Sequence, residues 1–191
     1  MNYFLLTKKK SHLISISRLE NKWFQNLTKA STKNVDFLYV GRLSKEKGIF
    51  DLINMINNSN SKINLSIAGS SNNFKFENPN IKLLGYISDE ELLMKAYDNC
   101  NITILPSFTE GYPYVIDESL ARKRPVIIFE EISYVVNNKK GIFITERNLD
   151  SLNKTTKHIL ENYDQIQEEI SLNELPTKKS MLKQISDIIR I

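Results

Sequence analysis

Cysteine is almost absent from this 191-residue chain. The single one, Cys100, excludes an internal disulfide and suits a reducing compartment, and its place just before an apolar run marks it as a core residue rather than a redox centre. Long hydrophobic runs are missing too. No stretch reaches the ~20 residues that a membrane span needs, and Tyr3–Leu6 is too short for a signal-peptide core and runs into Lys8, Lys9 and Lys10. A cytoplasmic protein is therefore expected. The lysine triplet reads either as a solvated turn or as a weak hold on anionic lipid, which keeps peripheral contact with the inner membrane surface open. Histidine is scarce: His12 and His158 stand too far apart for a local metal motif and no Asp-x-Asp pair occurs, so no metal is expected. The net charge of +4 gives a mild preference for anionic ligands, and without a basic stripe interleaved with aromatics nucleic acid is not an expected partner. Neither the Walker order of glycines nor Gly-x-Gly-x-x-Gly is present.

What the chain does have is an ordinary globular composition, 41% hydrophobic, arranged as short β-branched runs alternating with helical spacings. Residues 1–34 read as a packed lead-in and linker, with Leu13–Ile16 as a candidate strand and Leu19, Trp23 and Leu27 at helical spacing. From Val35 the pattern becomes regular. Val35–Val40 is a strand, Ile49, Leu52, Ile53 and Ile56 mark a helix, and Ile63–Ala68 and Ile81–Leu84 are strands. A helix from Ser88 should bury Leu92, Leu93 and Tyr97. Ile102–Ser107 and Arg124–Ile128 hold two more strands, with a helix from Tyr114 to Ala121 between them and Pro113 suited to its first turn. A short helix at Ile132–Val136, a strand at Gly141–Ile144 and a helix at Leu149–Leu160 complete the unit. Such alternation predicts an α/β fold, a doubly wound parallel sheet over residues 35–160. Residues 161–191 then add terminal helices, with Tyr163, Ile166 and Ile170 on one and Leu182, Ile185, Ile188 and Ile189 on the other.

In a sheet of this kind ligands bind beyond the carboxyl ends of the strands, where helix N-termini offer free N–H groups to anions. Two loops there carry chemistry. The turn Gly41-Arg42-Leu-Ser-Lys-Glu-Lys47-Gly48 presents two cations and backbone N–H groups, a candidate diphosphate site, although a basic turn taken alone can simply be solvated. The stretch Glu110-Gly-Tyr-Pro-Tyr-Val-Ile-Asp-Glu118 puts one carboxylate in the loop and the other about two turns into the helix, so the pair can hold two parts of one ligand.

Taken in order, Gly41–Gly48, Ser66-Ile-Ala-Gly69, Leu84-Gly85-Tyr-Ile, Pro106-Ser107 before Glu110-x7-Glu118, and Pro125-Val126 resemble the donor-binding half of the retaining GT-B glycosyltransferases of the group 1, family 4 type. The resemblance covers about residues 35–160 and implies a Rossmann-like domain that binds a nucleotide sugar, UDP- or GDP-linked, without a metal. It implies that Arg42 and Lys47 hold the diphosphate and offset the charge it gains on leaving. Glu110 would hydrogen-bond sugar hydroxyls beside the N–H groups of Gly111, Tyr112 and Tyr114. Glu118 would take the ribose hydroxyls, Gly41 would carry the turn, and Tyr86 and Ile87 would line the base. The implied reaction is hexosyl transfer to a glycan or lipid-linked glycan in polysaccharide biosynthesis.

The chain departs from that pattern in three places. The acceptor domain is missing, because residues 1–34 are too few for a domain of at least ~50 residues. A fragment, a shortened protein or one half of a two-chain enzyme with a separate acceptor-domain partner is expected, and a non-catalytic interaction module is the alternative. Lys123 stands where the family commonly has glycine, which puts a lysine in the left-handed conformation at a cost of about 1 kcal/mol. Phe129-Glu-Glu-Ile-Ser133 replaces a loop that often carries paired glycines. Arg122, Lys123 and Arg124 read most simply as a solvated helix end.

Overall fold

The computed structural model describes residues 14–70 and 74–189. The apolar start, Lys8–Lys10, His12 and Leu13 lie outside the described residues. Six strands, β1 (Val35–Val40), β2 (Ile63–Ala68), β3 (Ile81–Gly85), β4 (Ile102–Leu105), β5 (Val126–Phe129) and β6 (Ile142–Thr145), form one sheet in the order β3-β2-β1-β4-β5-β6. All five pairings are parallel. The helices α1 (Ile49–Asn57), α2 (Glu90–Asp98), α3 (Tyr114–Ala121) and α4 (Leu149–Glu161) flank the sheet, followed by α5 (Tyr163–Ile170) and α6 (Lys178–Ile189). The strand order reverses between β1 and β4, so the loops leaving these two neighbouring strands part and open a crevice at their carboxyl ends.

The β-branched runs become interior strands because they are apolar on both faces. Every residue of β4 and of β5 is buried, as a parallel strand covered by helices on both sides requires. Helix α1 turns Ile49, Leu52, Ile53 and Ile56 to the core. Each fully buried side chain of that size contributes about 1.5–3 kcal/mol of transfer free energy. Cys100 is buried, its Sγ directed to the Tyr97 carbonyl at 3.1 Å, and burial pushes its thiol up to about 12.

Several local expectations change. Residues 14–16 form no strand, and the described residues of the lead-in contain a single 3-10 turn, Asn21–Phe24. Leu19 and Trp23 are nonetheless fully packed, each 1% exposed, whereas Leu27 is largely exposed. Helix α2 begins at Glu90 with Asp89 as its cap, whose carboxylate accepts from the Leu92 N–H at 2.8 Å. Leu92 therefore faces outward while Leu93 and Tyr97 are buried. The segment after β5 is a pair of 3-10 turns kinked at Ile132. Lys123 does adopt the left-handed conformation, with φ of +55°.

The largest correction concerns Arg122 and Arg124, which are 3% and 0% exposed. They do not form a solvated helix end. The carbonyls closing α2 and those of the lead-in converge on this point, and two guanidinium groups supply the donors. Arg122 grips the Asp98 carboxylate at 2.7 and 2.9 Å and the carbonyls of Trp23, Gln25 and Asn26. Helix α6 packs less deeply than the rest, with no fully buried residue, and is tied to the lead-in by a bond from the Lys178 N–H to the Leu19 carbonyl at 2.8 Å. No helix among the described residues is long and apolar enough to cross a membrane.

Candidate active site

The crevice is shaped first by glycine. Gly48 has φ of +63°, and a β-carbon there would overlap the Pro106 carbonyl, so the Gly41–Gly48 turn lies directly against the exit of β4. The Phe108 N–H donates to the Glu46 carbonyl at 3.0 Å across the same seam. Two distant sequence motifs are thereby held side by side.

Lys47 and Glu110 meet at this seam. Lys47 Nζ donates to Glu110 Oε1 at 2.7 Å, and the Ser107 hydroxyl donates to the same oxygen at 2.6 Å. The Glu110 side chain is 9% exposed, and Tyr134 fixes its backbone by accepting from the Glu110 N–H and donating to its carbonyl. Arg42 differs. Its side chain is 74% exposed and makes a loose ion pair with Glu46 at 3.6 Å, which leaves the guanidinium available to a ligand. The Tyr39 hydroxyl donates to the Arg42 carbonyl at 2.5 Å and so anchors the turn rather than the charge.

The Glu110 loop is braced beneath. The Tyr112 hydroxyl donates to Asp117 at 2.9 Å, Lys139 pairs with the other Asp117 oxygen at 2.6 Å, and the Tyr112 and Tyr114 rings meet edge to face. Gly111 faces open space, where a β-carbon would touch nothing within 4 Å. The loop then enters α3 through Pro113.

Glu118 is the fifth residue of α3, little more than one turn in, and it points inward. Its carboxylate accepts from the Tyr97 hydroxyl at 2.8 Å and from the Arg18 guanidinium. Burial raises the Glu118 pKa, opposed by the Arg18 charge and the Tyr97 bond. A raised folded pKa means that the stabilising contribution is complete below the unfolded value of about 4.3 and is lost as pH rises through the folded value. Glu118→Gln, which needs no charge in that position, should therefore shift Tm more favourably at pH 7.5 than at pH 4. A shift less favourable at pH 7.5 would contradict this assignment.

Beside Glu118 a cavity of about 470 Å³ is lined by Gly41, Arg42, Gly69, Tyr86, Ile87 and Arg18, among others. Tyr86 is 77% exposed at its mouth, while Trp23 closes the floor, its indole N–H donating to Glu90 at 2.5 Å. Gly41, Arg42, Tyr86 and Ile87 thus line one cavity, and Glu118 lies behind Arg18, which lines it too. Lys47 stands at the far end of the Gly41–Gly48 turn, against Glu110, with Gly111, Tyr112 and Tyr114 following along that loop. Sequence reasoning missed Arg18, Trp23 and Glu90. Nothing in their local spacing signals a site, because they arrive from the lead-in and from the outer part of α2. His158, on the exposed side of α4 against Phe143, stands apart from the crevice. Among the described residues no group of His, Cys, Asp and Glu side chains is placed to hold a metal ion.

The model of the family "Glycosyl transferases group 1" matches residues 19–174. The chain belongs to this family. A curated relative, the capsular polysaccharide biosynthesis glycosyltransferase CapM of Staphylococcus aureus, is 27% identical over 169 residues, covering 80% of this chain and 43% of the relative. Among solved structures, sucrose-phosphate synthase of Thermosynechococcus elongatus superposes with a TM-score of 0.67 at 19% identity, over 84% of this chain and 46% of the other. HepE of Anabaena, solved in complex with UDP and glucose, gives 0.66 at 17% identity, over 82% and 48%. These likenesses establish the Rossmann-like GT-B half-fold, and the chain spans less than half the length of each of these relatives. The group 1 match begins at Leu19, within the lead-in, and ends beyond α5.

Proposed function

We propose that this chain is the donor-binding half of a retaining glycosyltransferase, holding a UDP- or GDP-linked hexose for transfer to a glycan or lipid-linked acceptor. The observation that carries the reading is that, where the strand order reverses, the turn bearing Arg42 and Lys47 meets Glu110 through Lys47, while Arg42 lines a cavity together with Arg18, the partner of Glu118. Group 1 membership and the UDP complex of a structural neighbour support it.

In this reading the base occupies the cavity at Tyr86 and Ile87 and the ribose hydroxyls reach Glu118. The diphosphate crosses the Gly41–Gly48 turn toward Arg42 and Lys47. As the sugar bond breaks, positive charge develops at the anomeric carbon and negative charge on the departing diphosphate. The two cations and the N–H groups of the Glu110 loop offset that negative charge in place of a divalent metal. Glu110, held by Lys47 and Ser107, presents its free oxygen to sugar hydroxyls. The acceptor and the groups acting on it come from a separate domain or partner chain.

Calorimetric titration with UDP, GDP and ADP tests this. Saturable binding of one nucleotide is expected, with Glu118→Ala and Arg42→Ala each weakening it about tenfold, the value of one charge-assisted hydrogen bond. A folded chain that binds none of the three would refute the donor-site reading and favour an interaction module built on the same half-fold.

A further inference from the structure

Glu118 cannot be reached as the chain stands. Its side chain is 1% exposed, with one oxygen held by the Nε and Nη2 groups of Arg18 and the other by the Tyr97 hydroxyl. Of these two partners among the described residues, Tyr97 is completely buried, so a ligand that takes over one of their places displaces Arg18. The Arg18 side chain, by contrast, is 56% exposed, and its outer neighbour is the Tyr114 ring at 5.7 Å. The backbone on either side is fixed: the Ser17 hydroxyl donates to the Pro176 carbonyl at 2.6 Å, and Leu19 is 1% exposed in the core. The guanidinium end can therefore move while its root stays in place. It also lines the same cavity as Arg42 and Gly41, so an alternative position beside an anionic ligand lies within its reach.

We propose that Arg18 is an exchangeable cover on Glu118, which the ribose of a bound nucleotide displaces, leaving the guanidinium to lie among the cations that face the diphosphate. This rests on the donor-site reading above. The physical logic is one of replacement. A buried carboxylate that loses its partner bears a large desolvation cost, so the cover cannot simply drift open. An ion pair exposed on one side is worth little in net terms, so two hydroxyl donors arriving at Glu118 can take its place. Arg18 thus keeps Glu118 satisfied and yields when a ligand brings substitute hydrogen bonds. It comes from the lead-in, outside every motif of the donor site.

The test uses the full chain labelled with 15N. The Arg18 Nε–H resonance, identified by its loss in Arg18→Lys, is expected in the free protein and should shift in Glu118→Gln. On titration with UDP or GDP it should move in step with the amides of Tyr86 and Ile87. In parallel, the ratio of Kd for the 2′,3′-dideoxy nucleotide to Kd for the parent is measured, which cancels the charge common to both ligands. Arg18→Ala should raise that ratio at least about fivefold, because the hydroxyls no longer compete for Glu118. Saturation of Tyr86 and Ile87 with an unmoved Arg18 resonance, or an unchanged ratio in Arg18→Ala, would overturn the proposal while leaving the donor site intact. An Arg18 resonance indifferent to Glu118→Gln would overturn it without any ligand. No response of any resonance to either nucleotide would instead refute the donor-site reading, and the cover with it.

Discussion

Replacing Arg124 by alanine is expected to lower Tm by roughly 10 °C or to prevent folding. Arg124 is fully buried, and its guanidinium donates from Nε to the carbonyls of Tyr97 and Cys100, from Nη1 to that of Arg122, and from Nη2 to Thr28 and Asp98. These groups belong to the end of α2, the exit of α3 and the lead-in, so one side chain closes three segments on each other. Its removal leaves several buried carbonyls without donors and Asp98 with one cation fewer. Breaking a buried charged network of this kind costs about 3–5 kcal/mol, and each kcal/mol is worth about 2–4 °C in a chain of this size. Arg124→Lys should restore only part of the loss, since an ammonium cannot reproduce the planar fork. Thermal unfolding followed by circular dichroism checks this. A Tm within about 3 °C of wild type would mean that the network carries little stability.

Lys47→Ala should weaken binding of a nucleoside diphosphate about 30-fold, the effect of losing one or two charge-assisted hydrogen bonds to phosphate. The parent nucleoside, which has no phosphate for Lys47 to meet, should lose less than about threefold. Lys47 also holds Glu110 at 2.7 Å, so the variant frees that carboxylate at a side chain that is 9% exposed. Ser107 keeps its bond to Glu110, and the tie between Phe108 and the Glu46 carbonyl does not involve the lysine side chain, so the loop should hold its place. Calorimetry with matched nucleoside and diphosphate separates the outcomes. Equal losses for both ligands would show that Lys47 acts through the shape of the loop and not on phosphate.

Much of the fold was legible because the sheet interior is written in local pattern. Ile102–Leu105 and Val126–Phe129 are short, β-branched and apolar on both faces, as strands covered by helices on both sides require. The same holds for α1, whose apolar residues recur at helical spacing, whereas the expectation of a left-handed Lys123 rests on the glycine that the family commonly carries at that position. What escaped depends on partners distant in sequence. Arg122 and Arg124 carry the composition of a solvated surface, and the convergence of acceptors from the end of α2 and from the lead-in some 96 to 99 positions earlier turns them inward. The lead-in itself has spacings that suggest a helix at Leu19, Trp23 and Leu27, yet its packing is set by the core it covers and not by its own periodicity. Leu92 shows the same limit on a smaller scale: with the cap at Asp89 the helix starts later than expected, and of the three residues expected inside, Leu93 and Tyr97 are buried while Leu92 is exposed.

The candidate site divides along the same line. The turn at Gly41–Gly48 and the Glu110–Glu118 stretch announce themselves through residue type and order. Their junction at Gly48 and Pro106, and the burial of Glu118 beneath Arg18 and Tyr97, are visible only in three dimensions.

The most direct measurement of the central claim is a crystal structure of the chain grown with the nucleoside diphosphate that binds it best in calorimetry. The expected result is the base in the cavity at Tyr86 and Ile87, the ribose hydroxyls on Glu118, and the diphosphate along Gly41–Gly48 within hydrogen-bond distance of Arg42 and Lys47. A nucleotide bound elsewhere on the chain, with this crevice empty, would contradict the account.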